Sequence, residues 1–446
     1  MPKNPCCGTG AGRGADGPRR RPAVAFAFSL CAALLAGCAG GTATGQKDPQ
    51  PATAAAAAAA PIPPKEALPL DRAAAALADS TLSRAQLPPP GPSGRYRLVV
   101  DPLIDRATGA ETEATRAVER SMVALVRERH PQFELRPFTT ANLDDKPLVL
   151  LGSMARVAEA GSRANPPGPG RPPAYRIWAV LADLGTGRIL AHEEAWVRTD
   201  AVNPAPAAFF RDSPAWTPDG AAAAYIRTCA LNPGDAIDPA YLNAVRVQAL
   251  VSDGIRAYEA KRYREALGFY EQARALAPED QQLRIRNGLY LANQALGRGR
   301  DAEAAFGSVV DYGLERGRLA VKFVFRPGST AFWPDRAISG TYPMWLRQIA
   351  ARTEAREACL EVEGHSSPTG SASANERLSL ARAERVRGRL VAQRPGLRER
   401  LDAEGLGSRQ TVVGTGADDA SDVLDRRVEF EPRSCPAVAS MGGTSG

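Results

Sequence analysis

Residues 360–386 read LEVEGHSSPTGSASANERLSLARAERV. The opening residues, 360–364, alternate apolar and charged side chains, which is typical of a β-strand with one buried face. The segment HSSPTGSAS that follows is rich in small, polar and turn-forming residues and predicts a loop. A helix is expected to begin near Asn375. A strand, a loop and a helix in this order predict an α/β layer in which the helix packs against the sheet.

The expected helix carries one basic residue on its apolar side. At about 100° per residue, Leu378, Val386 and Leu390 form a stripe, with Arg382 between them and Asn375 pointing the same way. Because an unpaired buried charge is costly, Arg382 must find an anion or several acceptors. A salt bridge to a core acid and a clamp on a ligand carboxylate both meet this need. Helical geometry alone favours the salt bridge.

The flanking sequence completes a domain over residues 319–434. Strands are expected at Leu319–Phe325, Gln410–Gly414 and Arg426–Phe430, and a helix at Pro343–Glu357. Strands that alternate with helices predict a compact α/β sandwich with its helices on one face.

Three segments of this domain resemble the OmpA-like family. They are VKFVFRPGSTAF (321–332), residues 360–386 with the block N-x-x-L-S-x-x-R-A-x-x-V, and DRRVEF (425–430). The resemblance implies a non-catalytic domain that grips the peptide stem of peptidoglycan, with Arg382 holding the carboxylate of diaminopimelate. It further implies a binding site made of the following residues: Ser366, Ser367, Asn375, Leu378, Arg382 and Arg427.

The chain departs from the family pattern in one loop. After Gly364-His365 the family normally has Thr-Asp, and the aspartate pairs with the ammonium group of the ligand. Here the residues are Ser366-Ser367. Because a serine carries no charge, loss of a charged hydrogen bond would weaken binding by roughly ten- to a hundredfold.

The N-terminus has the pattern of a bacterial lipoprotein signal. Arg19–Arg21 precede an apolar segment, 22–36, that is too short to span a bilayer comfortably. It ends in Leu34-Leu35-Ala36-Gly37-Cys38, which matches the lipobox. We therefore expect a signal peptide over 1–37 and lipidation of Cys38, with an uncleaved anchor as the alternative. Ala39, in place of an aspartate, favours the outer membrane, where the chain would face the periplasm.

Residues 38–94 are expected to form a disordered tether. The first part, to about Pro69, consists mainly of Ala, Pro, Gly and Thr, and QLPPPGPSG at 86–94 is another loose stretch. Too few large apolar side chains are present for a packed core.

Three cysteines remain outside the signal peptide and the lipidation site: Cys229, Cys359 and Cys435. Cys359 and Cys435 each lie at the end of an expected strand of one domain, so we predict a disulfide between them. Three free buried thiols are the alternative.

Residues 95–200 predict a small α/β domain with one helix and about five strands. The helix is expected at Thr112–His130, and Gly185-Thr186-Gly187 predicts a hairpin turn between the last two strands. The order of elements and the opening VVDPLID resemble lipoproteins that activate penicillin-binding proteins or help curli secretion. An α/β domain of unrelated role remains equally open.

Residues 236–316 predict tetratricopeptide-like helical repeats. Gly254, Ala266, Tyr270 and Ala273 have the spacing of such a unit, and Gly288 follows Gly254 by the repeat period of 34 residues. Two units are fewer than a free-standing solenoid needs, so we expect them to pack on a neighbour. A groove for a partner protein and a helical spacer are both open.

Composition and motifs exclude several classes of function. The formal net charge of +7 is spread along the chain without a basic run, which argues against nucleic-acid binding. The three histidines, His130, His192 and His365, lie in separate contexts. No catalytic motif, cofactor site or metal spacing is recognisable, so we expect no enzyme activity.

The sequence as a whole predicts a multidomain α+β protein of the outer membrane. The leading interpretation is a lipoprotein that tethers the outer membrane to peptidoglycan through the OmpA-like domain. The alternative is an assembly or regulatory lipoprotein that binds a periplasmic partner protein through its N-terminal domain and repeats, with weak or no wall binding.

Overall fold

The computed structural model describes residues 67–90, 93–157, 174–216, 219–277, 283–326, 328–411, 416 and 425–435. These residues belong to one structural unit, 60–446. The expected signal peptide and Cys38 lie outside the described residues. No helix within the described part of the chain is both long and apolar enough to span a membrane.

The first sheet has six strands. They are β1 Tyr96–Val100, β2 Ile104–Asp105, β3 Phe133–Arg136, β4 Leu148–Val157, β5 Ala174–Asp183 and β6 Arg188–Arg198. The order is β3-β1-β4-β5-β6, with β2 paired to β4. Strands β3, β1 and β4 are parallel, whereas β4, β5 and β6 form an antiparallel meander. The predicted hairpin turn joins β5 to β6, and Gly187 has the positive φ of 69° that such a turn favours.

Helices cover both faces of this sheet. They are α1 Leu70–Ser83, α2 Glu113–Arg129, α3 Thr140–Leu143, α5 Gly220–Thr228 and α6 Pro239–Glu259. The short helix α4, Ala208–Asp212, instead packs with the helical region, where Phe209 stacks on Tyr270. Successive residues of a strand point to opposite faces, so Leu98 packs with α1 and α2 while Val99 packs with α5 and α6. The predicted helix over 112–130 is α2, which begins at a capping box formed by Thr112 and Thr115.

Two expected boundaries were wrong. Residues 70–83 form helix α1 instead of disordered tether, because its Ala73, Ala74, Leu77 and Ala78 make a narrow apolar stripe that is buried against the sheet. The first domain also does not end at residue 200. Helix α5 and the beginning of α6 supply its second layer, so α6 belongs to both the first domain and the helical region.

The helical region continues with α7 Tyr263–Leu276, α8 Leu283–Ala295 and α9 Gly299–Glu315. Tyr270 lies between two glycines of neighbouring helices. A Cβ atom would lie 2.6 Å from its ring at Gly254 and 2.4 Å from it at Gly288. Glycine at both positions is what lets α6 and α8 approach the Tyr270 ring this closely. As expected, the helices pack on a neighbour: Phe306 of α9 stacks on Trp345 of the C-terminal domain at 5.3 Å.

The C-terminal elements are β7 Leu319–Val321, α10 Arg336–Ser339, α11 Tyr342–Ala355, β8 Cys359–His365, α12 Ala372–Gln393, β9 Leu401–Gly407 and β10 Val428–Arg433. The sheet order is β7-β10-β8-β9. Strand β10 is antiparallel to β7 and β8, and β8 is parallel to β9. Helices α11 and α12 pack on the apolar face that includes Val362 and Phe430. This arrangement is the predicted sandwich with its helices on one face.

Two strand predictions in this domain need correction. The expected strand 319–325 ends at Val321, because the Lys322 N–H donates to the Pro214 carbonyl and the chain leaves the sheet. The strand beside β8 is β9 at Leu401–Gly407, which the sequence did not predict. Of the strand expected at 410–414, residues 412–414 lie outside the described residues. The glycines of β9 hid it from a search for alternating β-formers.

The cysteine prediction is confirmed. Cys359 and Cys435 form a disulfide with a Cα–Cα distance of 5.2 Å. Cys229 is a buried free thiol beneath the first sheet. The alternative of three free thiols is therefore wrong.

Candidate functional site

The candidate site lies where strand β8 ends and helix α12 begins. Two glycines allow α12 to lie directly on the sheet. A Cβ atom at Gly364 would lie 1.9 Å from the Ser379 carbonyl oxygen, and one at Gly405 would lie 2.6 Å from that of Glu376. This close approach places the N-terminal part of α12 beside the loop that follows β8.

Arg382 is buried in α12, with 2% of its surface exposed. Its Nε donates to the Ser329 carbonyl at 3.1 Å and its Nη2 to the Arg326 carbonyl at 3.2 Å. The guanidinium also lies 4.9 Å from the centroid of the Phe325 ring. Arg382 therefore connects α12 to Arg326 and Ser329, and their carbonyls orient its guanidinium.

Asn375 joins the start of α12 to the loop after β8. Its Nδ2 donates to the Ser367 carbonyl at 3.2 Å, and the residue is buried. The helix is capped four residues earlier by Ser371, whose Oγ accepts the Ala374 N–H. The structure thus brings Asn375 and Ser367 together.

Ser366 and Ser367 are both buried. The Ser366 N–H donates to the Gly407 carbonyl at 2.9 Å, and the Gly407 N–H donates to Ser379 Oγ at 2.9 Å. The Ser366 hydroxyl has no hydrogen-bond partner among the described residues. The loop backbone is therefore held by the end of β9, and neither serine brings a charge to the position where the family has an aspartate.

Arg427 has its described contacts on the opposite face of the sheet from α12. It forms an ion pair with Glu429, and its guanidinium lies 5.3 Å from the centroid of the Trp216 ring. Glu429 also pairs with Arg318 at 2.5 Å. Burial, the largest single effect, raises the pKa of Glu429, but Arg427 and the smaller effects of its other neighbours together lower it. These contacts make Arg427 part of a buried ion-pair network.

Leu378 does not occupy the buried stripe of α12 that its spacing predicted, because its side chain is only partly buried. The buried positions of the helix are Asn375, Ser379, Arg382, Ala383, Val386 and Leu390. Ser379 therefore takes the place expected for Leu378. Its position four residues after Asn375 was the signal that could have identified it.

Trp216 and Phe325 are the other contacts that sequence reasoning missed. Trp216 comes from the segment between α4 and α5, more than 200 residues before Arg427. No local pattern relates two residues so far apart in the chain. Phe325 lay within the quoted VKFVFRPGSTAF segment, but its alternation suggested only a strand.

His365 ends β8 with 1% of its surface exposed. Its Nε2 lies 3.8 Å from Glu363 Oε2 and 3.9 Å from Glu429 Oε1. Burial, followed by the positive charge of Arg427, lowers the pKa of His365 to about 3. Burial and three neighbouring carboxylates, those of Glu431, Glu429 and Glu361, raise the pKa of Glu363 to about 7.

Residues 324–423 match the model of the OmpA family. The C-terminal domain is therefore OmpA-like. The match covers less than a quarter of the chain, and no curated protein matches this chain.

Three solved structures resemble about a quarter of the chain. The peptidoglycan-associated lipoprotein from Burkholderia pseudomallei is 24% identical over 25% of this chain and 88% of its own, with a TM-score of 0.22. The cell wall anchor of the T6SS from Pseudomonas aeruginosa is 26% identical over 26% of this chain and 80% of its own, with a TM-score of 0.22. An outer membrane protein from Borrelia burgdorferi B31 is 20% identical over 26% of this chain and 88% of its own, with a TM-score of 0.21.

Proposed function

We propose that this chain is an outer-membrane lipoprotein whose OmpA-like domain binds the peptide stem of peptidoglycan without catalysis. The observation that carries the proposal is the match of residues 324–423 to the OmpA family. The arrangement of Asn375, Ser367 and Arg382 around the start of α12 supports it. In the proposed complex, Arg382 receives a carboxylate of a diaminopimelate-type stem, since a guanidinium can clamp a carboxylate with two parallel hydrogen bonds.

The proposed binding is weaker than that of a domain with an aspartate in the loop. Ser367 presents a neutral hydroxyl to the ammonium group of the ligand. A charged hydrogen bond contributes more than a neutral one, so the difference is roughly ten- to a hundredfold in affinity.

The proposed tether runs from the lipid to the wall. Cys38 would carry the lipid, and more than one acyl chain makes such an anchor stable. The residues after Cys38, the first domain and the helical region would then separate the membrane from the OmpA-like domain. Replacement of Cys38 by Ala should release the chain from the outer-membrane fraction.

Co-sedimentation with purified sacculi at low salt tests the wall binding. The full chain should pellet, and Arg382→Ala should lower the bound fraction at least tenfold. Arg382→Lys keeps the charge but loses the two-pronged geometry, so it should bind weakly while folding normally. Arg389→Ala is the matched control, because Arg389 is exposed on the same helix.

Ser367→Asp gives the opposite test. It should raise the affinity for sacculi by roughly ten- to a hundredfold, because it restores a charged partner. The proposal fails if the full chain stays in the supernatant at low salt and neither Arg382→Ala nor Ser367→Asp changes the result.

The alternative function, binding of a periplasmic partner protein, would use the first domain and helices α6–α9. Helix α6 packs beneath the first sheet, α9 packs against α11, and Tyr290 of α8 accepts a hydrogen bond from Trp345 of α11. At least three of the four helices therefore already have neighbours within the chain. Leu276 at the end of α7 is 61% exposed and is the apolar side chain that such a partner would cover. If Leu276→Glu abolished binding to a defined partner while sacculus binding persisted, the alternative would be preferred.

A further inference from the structure

The geometry points to a transition-metal site formed by Glu363, His365 and Glu429 on the face of the C-terminal sheet that α11 and α12 leave uncovered. We propose that it binds one Zn²⁺ ion. The inference does not depend on peptidoglycan binding, because none of the three side chains contacts Arg382 or Asn375 through a described hydrogen bond.

Strand geometry brings the three ligands together. Glu363 and His365 are two residues apart on β8, so their side chains point to the same face. Glu429 lies directly opposite Glu363 in the antiparallel pair with β10. One ligand atom from each residue falls within 4.8 Å of the others.

The distances suit a metal ion after small side-chain movements. The His365 Nε2 lies 3.8 Å and 3.9 Å from the two carboxylate oxygens. Zinc bonds to nitrogen and oxygen are about 2.0–2.2 Å long, which separates tetrahedral ligands by roughly 3.4 Å. The three atoms therefore need to move inward by less than about 1 Å to share an ion.

His365 supplies the independent evidence for a ligand. It is 1% exposed, and both of its ring nitrogens lack a hydrogen-bond partner among the described residues. A buried polar group without a partner is costly and calls for an explanation. A metal ion at Nε2 would satisfy the nitrogen that faces both carboxylates.

The arginines beside Glu429 would hold its carboxylate in place without binding the metal ion themselves. Ligating carboxylates are commonly hydrogen-bonded by neighbouring groups that hold them in place. Arg318 and Arg427 make these contacts with Glu429.

The surrounding charge favours a cation. Glu361 and Glu404 form a second cluster with Glu363, and Glu431 pairs with Glu361 across the strands. Arg433 pairs with Asp402 and Arg409 with Glu404 beside this cluster. These two arginines and the two on Glu429 are still fewer than the six carboxylates, those of Glu361, Glu363, Asp402, Glu404, Glu429 and Glu431. An ion that binds at Glu363 would reduce the repulsion among them.

The ligand set selects the class of metal. Imidazole suits Zn²⁺ and other transition ions, whereas Mg²⁺ and Ca²⁺ prefer oxygen ligands alone. The sequence offered only Glu363 and His365 at neighbouring positions, and Glu429 is 66 residues beyond Glu363. The fold is needed to see the third ligand.

Zinc titration of the full chain against a fluorescent chelator tests the site. The wild type should bind one equivalent of Zn²⁺ that His365→Ala weakens at least a hundredfold and Glu363→Gln at least tenfold. His192→Ala is the matched control, because His192 is a histidine of the first sheet, and it should bind like the wild type. Any Zn²⁺ bound by thiols elsewhere in the chain is the same in the wild type and the three variants. The test is therefore the difference in bound Zn²⁺ between the wild type and His365→Ala.

Each outcome decides the proposal. The proposed site is wrong if His365→Ala binds Zn²⁺ as tightly as the wild type. It is also wrong if the wild type binds no more equivalents of Zn²⁺ than His365→Ala. Glu363→Gln keeps the shape of the side chain and guards against an unfolded variant, which amide exchange in β8 and β10 would detect. Ca²⁺ should not compete at equal concentration.

Discussion

The two sheets of this protein bury their faces differently. The first sheet has helices on both sides, and its strands contribute apolar side chains to both layers. The C-terminal sheet has helices on one side only, while its other face carries Glu361, Glu363, His365 and Glu429. A sheet covered on both faces gains stability from two apolar layers. On the face without helices, the C-terminal sheet instead buries His365 and Glu429 together with Arg427, which pairs with Glu429 and lies over the Trp216 ring.

This difference predicts where stability and binding reside. The first sheet should tolerate the loss of a single contact, because two layers hold it. The C-terminal sheet depends on one helical layer, a disulfide and close contacts at glycines. Amide hydrogen exchange reports on the two sheets separately and makes the comparison measurable.

The largest effect is expected from the disulfide. Cys359 and Cys435 are separated by 76 residues and join the beginning of β8 to the end of β10. Replacing both by Ala should lower the free energy of unfolding of the C-terminal sheet by about 4 kcal/mol, because the unfolded chain regains the freedom of a long loop. Amide exchange in β8 and β10 should accelerate, whereas that in β4 and β5 should not.

The free thiol of the first sheet provides the contrast. Burial raises the pKa of Cys229 to about 12, so the native protein should react with thiol reagents only when the first sheet opens. Cys229→Ala should cost about 1 kcal/mol. If amide exchange accelerated equally in both sheets after removal of the disulfide, the two sheets would not differ in stability as we infer.

The second largest effect is expected at a glycine. Gly364→Ala would place a Cβ atom 1.9 Å from the Ser379 carbonyl oxygen, and a backbone atom of a packed helix cannot easily move. A loss of about 3 kcal/mol is expected in chemical denaturation.

Gly152→Ala in β4 is the matched variant. Its Cβ atom would approach the end of the flexible Leu103 side chain at 2.8 Å, with the Trp178 carbonyl at 3.0 Å. Because Leu103 can adjust, about 1 kcal/mol is expected. If Gly152→Ala proved the more damaging of the two, the C-terminal helical layer would be less rigid than we infer.

The third prediction concerns pH and the first sheet. Burial raises the pKa of Asp101 to about 7, although the hydrogen bond from the Tyr241 hydroxyl, 2.7 Å long, opposes this. The folded state therefore holds a proton that the unfolded state has released, and Asp101 makes the protein less stable as the pH rises from about 4 to 7. The effect should be on the order of 2 kcal/mol between pH 5 and pH 8.

Asp101→Asn should remove this slope, because an amide has the same shape and does not titrate. Stability of the first sheet would be followed by amide exchange in β1 and β4 at each pH. An unchanged slope in the variant would show that another group is responsible, such as Glu119, whose pKa burial also raises to about 7.

Local patterns predicted much of both sheets. The strands at Tyr96–Val100 and Ala174–Asp183 and the helix at Glu113–Arg129 follow strong apolar periodicity, so their positions agree with the structure. The cysteine pair could be predicted because each cysteine lies at or near one end of a strand of the same sheet. The repeat spacing singled out Gly254, Tyr270 and Gly288, which pack against one another in the structure.

The misses have a common physical cause. Helix α1 is rich in Ala and strand β9 contains two Gly, and these residues carry little apolar signal although they pack tightly against their neighbours. The contact of Trp216 with Arg427 and the cluster around His365 depend on residues far apart in the chain. Only the tertiary fold brings those groups together, so no local pattern could predict them.

The smallest effects should come from two hydroxyl groups, one at each sheet, that each accept a hydrogen bond from the N–H of a glycine. The Gly152 N–H donates to Tyr225 Oη at 3.0 Å, and the Gly407 N–H donates to Ser379 Oγ at 2.9 Å. Tyr225→Phe and Ser379→Ala should each cost about 1 kcal/mol, because each leaves a buried amide without its acceptor. Exchange of the Gly152 or the Gly407 amide should accelerate in the matching variant alone.

Tyr270→Phe is the control for these two variants, since the Tyr270 hydroxyl is buried with no hydrogen-bond partner among the described residues. Its removal should leave stability unchanged or slightly higher. The comparison of the sheets predicts one further difference. Tyr225→Phe should affect only its own neighbourhood, because a second layer holds the first sheet. Ser379→Ala should also loosen the loop that begins at Ser366, since the Gly407 carbonyl accepts the Ser366 N–H, and sacculus binding should weaken with it.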